Sequence, residues 1–212
     1  NRSVQGFLVG AVERIINTNW DAIMPPPQGT GRASYLTAVT EVENELIEIL
    51  DVEKILNEIS PLNAEVSSEV AEGLTTEGQE NKIIFIADDS AVARNQVKKA
   101  LTSLGLEIEL AKNGLEALNR LKEIAEEYGD VTNRVGVLVS DIEMPEMDGY
   151  TLTAEIKNTP ELQKLHVVLH TSLSGVFNQA MVQKVGADDF IAKFHPDELA
   201  TAVQKWLMTE CE

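Results

Sequence analysis

Cysteine is almost absent from this chain: Cys211, next to the C-terminus, is the single thiol in 212 residues. One thiol forms no internal disulfide, which excludes a disulfide scaffold and fits a reducing compartment. Basic residues are scarce as well, with 17 Lys and Arg against 35 Asp and Glu and a formal net charge of -18. DNA or an anionic membrane face would need a basic footprint, so no nucleic acid partner is expected. The deficit runs through the whole chain, with 4 basic and 14 acidic residues up to residue 81 and 13 and 21 beyond it. Such charge serves solubility and self-repulsion, or steers a basic partner. Long apolar runs are missing too. No stretch approaches the roughly 20 residues that span a bilayer, and no charged-then-apolar leader opens the chain. The expectation is a soluble, intracellular protein without direct membrane insertion. Its apolar fraction of 43% is that of a globular chain, and its length suits one ordinary domain plus a smaller one.

Residues 1–61 read as a β-rich piece. The stretch from Val4 to Val12 is apolar and strand-like, and Trp20 to Met24 runs into Pro25-Pro26-Pro27, which neither a helix nor a central strand can absorb. Tyr35 to Val42 and Leu46 to Leu50 flank the polar Glu43-Asn44-Glu45, a hairpin pattern. Asp51 is placed to cap a short helix carrying Val52, Ile55, Leu56 and Ile59 on one face. Residues 62–81, rich in Glu, Ser, Thr and Gly, read as an acidic linker with a fraying helix at its start, extended by its own charge.

From residue 82 to 212 the pattern changes. Apolar runs at 83–87, 107–111, 135–140, 166–170 and 189–192 alternate with amphipathic stretches at about 90–104, 114–128, 150–158, 176–186 and 196–208. Five strand-then-helix repeats call for an α/β fold with a doubly wound, five-stranded parallel sheet. Asn113 reads as a helix cap, and Gly105 and Gly129 as helix ends. In such a sheet the ligand site lies outside the carboxyl ends of the strands. There stand Asp88 and Asp89 after the first run, Asp141 after the third, Thr171 after the fourth and Lys193 after the fifth. Taken singly, Asp88-Asp89 could cap a helix and Asp141 could form a turn. Capping does not explain why four strands all end in complementary groups. Three carboxylates, a hydroxyl and a lysine form a kit for holding a divalent cation and receiving a phosphoryl group on an aspartate. His166 and His170, four residues apart on one strand, are expected to pack in the core or at its rim.

The segments Ala87-Asp88-Asp89-Ser90, Ala111 to Leu118, Ser140-Asp141-Ile142-Glu143-Met144-Pro145-Glu146-Met147-Asp148-Gly149, Thr171-Ser172 and Gly186 to Lys193 together resemble a response-regulator receiver domain of the flavodoxin-like, CheY-like type. The resemblance implies that Asp89, Asp141 and the backbone carbonyl of Glu143 ligate Mg²⁺, with Asp88 acting through water and Mn²⁺ an admissible substitute. It implies further that Asp141 is the phosphoacceptor, Lys193 binds the incoming phosphoryl oxygens, and Thr171 with the Phe190 ring forms the switch. Gly6-Phe7-Leu8-Val9, the Trp20 to Pro27 loop and the hairpin through Asp51 resemble the closing part of a CheW-like coupling domain. A CheW-like module followed by a receiver is similar to the CheV-type chemotaxis proteins. The chain opens on Asn1 without Met, and a complete coupling domain is about twice as long, so the expectation is a partial module, open-edged or paired with a second copy.

That resemblance implies a signalling protein rather than an enzyme acting on a second molecule. A chemotaxis sensor histidine kinase would phosphorylate Asp141 and so alter receptor–kinase coupling, as adaptation or as a phosphate sink. Chemoreceptors would be further partners, the site of action cytoplasmic at receptor arrays beneath the inner membrane, and a homo-oligomer is compatible with the sequence. Two other classes remain: a phosphorylation-silent scaffold, and an aspartyl-phosphate phosphatase with Glu143 two residues beyond the nucleophile. Three positions depart from the family pattern: Phe194 follows Lys193 where a cis proline is common, Glu143 and Leu173 fill the variable positions flanking the site, and Phe190 replaces the frequent Tyr.

Overall fold

The computed structural model describes residues 6–19, 22–27, 35–59, 65–74, 76–79, 81–171, 176–193 and 195–209. The chain forms two compact units, Asn1–Leu50 and Asp51–Glu212. The first holds an antiparallel sheet of β1 (Ile23–Met24), β2 (Leu36–Val42) and β3 (Glu45–Leu50). The β2–β3 hairpin is present, but its turn is tighter than expected, because Glu45 pairs with Val42 and joins the ladder. Glu43 and Asn44 both take positive φ, 54° and 65°, as the two central residues of a tight hairpin turn of the primed type do. The strand expected from Val4 to Val12 does not form over its described part. Residues 6–19 contain neither strand nor helix, and Leu8, Val12 and Ile15 are exposed. Apolar composition suits a strand only where a neighbouring edge supplies hydrogen bonds. Trp20, Gly29 and Gly31 lie outside the described residues.

The second unit opens with α1 (Val52–Ile59), whose first turn is capped as expected: Asp51 Oδ1 accepts from the Lys54 amide at 2.8 Å. The segment expected as an acidic linker carries a helix, as its sequence suggested, but is docked rather than wholly extended. α2 (Ser68–Gly73) is capped by the Ser67 hydroxyl, and Val66 and Leu74 on either side of it pack against an apolar core. These side chains dock it together with the Ser67 amide on Asp197 and the Thr76 hydroxyl on the Leu104 carbonyl.

Beyond it the chain alternates β4 (Ile83–Ala87), α3 (Ala91–Leu101), β5 (Glu107–Ala111), α4 (Gly114–Tyr128), β6 (Val135–Ser140), α5 (Gly149–Asn158), β7 (His166–Thr171), α6 (Val176–Val185), β8 (Asp189–Ala192) and α7 (Pro196–Leu207). The strands form a parallel sheet in the order β5-β4-β6-β7-β8, the doubly wound topology the alternation predicted. Side chains alternate across the sheet. Phe85, Leu138 and Leu169 join Leu121, Ile124 and Leu152 on the side of α4 and α5. Ile84, Val137, Val139 and Val168 join Leu101 of α3 and Leu199 and Val203 of α7 on the other. Asn113 caps α4, its Oδ1 accepting from the Glu116 amide at 2.7 Å, and Gly105 and Gly129 end helical turns at φ 70° and 83°. Among the described residues no helix is long and apolar enough to cross a membrane.

Candidate functional site

β4 is flanked by β5 on one side and β6 on the other, so the chain reverses its winding between β4 and β6. Their carboxyl ends form the crevice that such a reversal opens. Asp88 leaves β4 with its amide on the Ala111 carbonyl at 3.2 Å, and Asp141 leaves β6 with its amide on the Ala87 carbonyl at 2.7 Å. These backbone bonds fix both carboxylates at one level. Asp88 and Asp141 are buried and Asp89 is exposed, and carboxylate oxygens of all three lie within 4.8 Å of one another.

Lys193, just past β8, reaches into the same crevice. Its buried Nζ lies 3.0 Å from Asp88 Oδ2 and 3.3 Å from Asp141 Oδ2. The remaining oxygens are held by backbone: Asp88 Oδ1 accepts from the Ser90 amide and Asp141 Oδ1 from the Ile142 amide, each at 2.8 Å. Burial pushes the Asp141 carboxyl up to about 7, with the Asp88 charge adding to the rise and Lys193 opposing it. Burial thus outweighs the single ammonium beside it. The donor set is all oxygen and partly open to solvent at Asp89, which fits a hard, partly hydrated cation of the Mg²⁺ kind.

Thr171 ends β7, wholly buried, and its carbonyl accepts the Lys193 amide at 2.9 Å. Phe190 sits on β8 opposite Leu169, part-buried against the α4–α5 side of the core. Glu143 has an exposed side chain two residues beyond Asp141, in the loop that leads to α5. The structure thus brings Asp88, Asp89, Asp141 and Lys193 together and places Thr171 and Phe190 on the adjoining strands. Ser172, Leu173 and Phe194, and with it the peptide after Lys193, lie outside the described residues. His166 and His170 are both buried in β7, and burial holds the His170 imidazole down to about 3, neutral at ordinary pH.

Asp148-Gly149 reads as a turn in the sequence, but its close approach to Asp141 and the contact made by Arg94 are not legible there. The loop from Ile142 to Asp148 folds back so tightly that a Cβ on Gly149 would overlap the Asp141 carbonyl oxygen. The Gly149 amide closes it on the Ile142 carbonyl at 2.9 Å, and the Met147 carbonyl accepts from the Gly114 amide at 3.1 Å. Arg94, one turn into α3, donates from Nη1 to the Asp88 carbonyl at 2.5 Å. Its spacing from Ser90 was the signal, since a side chain one turn in points back toward the helix start.

These features match known proteins. The chain belongs to the response regulator receiver domain family, whose model matches residues 84–204. A CheW-like domain model matches residues 1–60, and the order of the two modules is that of CheV-type chemotaxis proteins. Chemotaxis protein CheV3 of Helicobacter pylori is 29% identical over 212 residues, covering 98% of this chain and 67% of the relative. Chemotaxis protein CheV2 of the same organism is 31% identical over 198 residues, covering 92% of this chain and 61% of the relative. The chain thus spans about three fifths to two thirds of the length of these relatives. Among solved structures, the signal receiver domain of a signal transduction histidine kinase from Syntrophus aciditrophicus aligns with a TM-score of 0.51 at 34% identity, covering 62% of this chain and 96% of that one.

Proposed function

We propose that this chain is a phosphoacceptor of a chemotaxis pathway, in which Asp141 takes a phosphoryl group from a sensor histidine kinase and so modulates receptor–kinase coupling through the CheW-like module. The observation that carries this reading is Lys193 Nζ, held within 3.3 Å of both Asp88 and Asp141 at the sheet's reversal point. A lysine so placed is aimed at anionic oxygens arriving above Asp141, and its compact charge suits a phosphoryl group. An oxygen of Asp141 forms a bond to phosphorus as the donor's phosphorus–nitrogen bond breaks, and the departing imidazole takes up a proton. Asp88, Asp89 and Asp141 would hold Mg²⁺, with the Glu143 carbonyl as a further ligand by resemblance. The cation would screen the charge of the incoming phosphoryl oxygens.

Lys193 sits beside both buried carboxylates, the Ile142 amide orients the Asp141 carboxylate, and the Gly149 turn lets the following loop fold back on that strand end. Thr171 and Phe190 form the element that responds to the new charge. The chain catalyses only its own phosphoryl transfer and hydrolysis, in the cytoplasm at receptor arrays. Chemoreceptors and the kinase are its partners, and the output is adaptation or drainage of phosphoryl groups. The test is intact mass after acetyl phosphate with Mg²⁺, beside Asp141→Ala and a chelated control. A gain of one phosphoryl group, lost in both controls, is the expected result. No gain under conditions that label another receiver would turn the reading to a silent scaffold.

A further inference from the structure

The segment between the two modules does not hang free of the second one. Val66 and Leu74 pack against the core cluster to which α3 and α7 contribute. Thr76 Oγ1 donates to the Leu104 carbonyl at 3.0 Å, and Glu65 pairs with Lys99 at 3.0 Å. The contact that ties this segment to the site is at Ser67. Its amide donates to Asp197 Oδ1 at 2.7 Å, while its hydroxyl caps α2 by accepting from the Val70 amide at 3.4 Å. One residue thus both starts α2 and fastens it to the first turn of α7.

Asp197 is the second residue of α7, four positions beyond Lys193. The lead-in to that helix is governed by the site: the Lys193 ammonium is held by Asp88 and Asp141, and its amide by the Thr171 carbonyl. His195, at the helix's N-cap position, makes no side-chain capping bond, and the Asp197 carboxylate is engaged by the linker amide. A shift of Lys193 toward a phosphoryl group on Asp141 therefore acts on a short connection whose far end carries the linker's anchor. Val66 and Leu74 are only part-buried and α2 has no fully buried residue, and the Glu65–Lys99 pair is exposed on both sides, so it adds little. Segments with so little fully buried side chain open at low cost.

We infer that residues 65–74 form a latch on the α3–α7 face, closed while Asp141 is unmodified and released when Asp141 carries a phosphoryl group. This rests on the phosphoacceptor reading above and names the step by which the site is sensed outside its own module. The partner of the α3–α7 face is thus the chain's own linker, and phosphorylation competes with its docking through Lys193 and Asp197.

The experiment is hydrogen exchange of the whole chain, read by mass spectrometry, with and without acetyl phosphate and Mg²⁺, with intact mass taken on the same samples. Amides in residues 66–74 should exchange about 5- to 150-fold faster in the labelled chain, the range of ordinary coupling between sites. Amides of β4 and β6 should not change, and Asp141→Ala should show no response. In Asp197→Ala and Leu74→Ser the linker should exchange fast from the start, and labelling should add nothing further. A labelled wild-type chain whose linker exchange is unchanged or slower overturns the latch and leaves the phosphoacceptor reading standing. A chain that never gains a phosphoryl group overturns both.

Discussion

In β7 every residue from His166 to Thr171 is buried, whereas in β3 none of the six residues from Glu45 to Leu50 is. Both segments are apolar strand formers with well-defined partners, so the difference does not lie in local propensity. β7 sits inside a sheet with helices on both faces, α3 and α7 on one and α4 and α5 on the other. β3 is an edge strand, and the described residues of the first unit include no α-helix to lie on it. Leu46 and Leu50 consequently remain 60% and 52% exposed, and only Ala38, Val39 and Thr40 of the facing strand are buried. A hairpin is specified by its turn and ladder alone, but a core needs a second layer. The thermodynamic weight of this chain therefore lies in the second unit.

The sharpest way to break that comparison is to truncate matched apolar side chains in the two units. Phe85 is fully buried in β4, and Phe85→Ala should cost about 3–5 kcal/mol of unfolding free energy. Leu46→Ala, at an exposed position, should stay within about 0.5 kcal/mol. Urea unfolding followed by circular dichroism measures both. Similar costs at the two positions would show that the first unit buries Leu46 against a layer of its own.

Charge in the second unit gives the next effects. Burial holds the Asp141 carboxyl up to about 7, whereas the unfolded chain's carboxyl titrates near the usual value of about 4. The folded state thus binds the proton more tightly, and the stability this gives is complete below about pH 4 and lost as pH rises through about 7. At pH 8 without divalent cations, Asp141→Asn should therefore stabilise the chain by about 1–3 kcal/mol, with the gap closing near pH 4. Added Mg²⁺ should raise the Tm of the wild type and leave the variant nearly unmoved.

His170 works in the opposite sense. Its folded value is held down to about 3 by burial, against about 6.5 unfolded. Its contribution is present above about pH 6.5 and lost as pH falls toward 3. His170→Asn should flatten that acid limb by about 1–2 kcal/mol. All three histidines, His166, His170 and His195, lie in the second unit, so no histidine limb should arise from the first.

The two units were also unequally legible. The parallel sheet could be read because each of its strands is a short apolar run closed by a polar residue, and each helix repeats its apolar positions at helical spacing. The cap at Asn113 and the helix ends at Gly105 and Gly129 followed from backbone chemistry that is local in sequence. Site residues were legible for a related reason: topology places strand ends together, so Asp88, Asp141 and Lys193 had to converge once the strands were found. What stayed hidden depends on long-range contact. The docking of Val66 and Leu74 cannot be seen in a Glu- and Ser-rich stretch, because the core cluster that receives them is built from residues far along the chain. The apolar run from Val4 to Val12 misled in the reverse direction, since its described residues, from Gly6 on, have strand composition but no strand.

The smallest effect tests how firmly the first unit holds its one well-defined feature. Glu43 takes φ of 54° in the two-residue turn between β2 and β3, a conformation that side chains other than Asn, Asp and Gly seldom adopt. Its carboxylate pairs with Arg14 at 2.9 Å, but both side chains are largely exposed, so the pair offsets little of the backbone cost. Asn44 beside it, at φ 65°, is already a residue that suits the position. Glu43→Asn should therefore stabilise the hairpin by roughly 0.5–1 kcal/mol even though it removes an ion pair. Slower amide exchange at the residues that pair across β2 and β3, such as Thr40 and Ile47, would register the gain. Faster exchange would mean that the Arg14 pairing, and not the turn, holds these strands together.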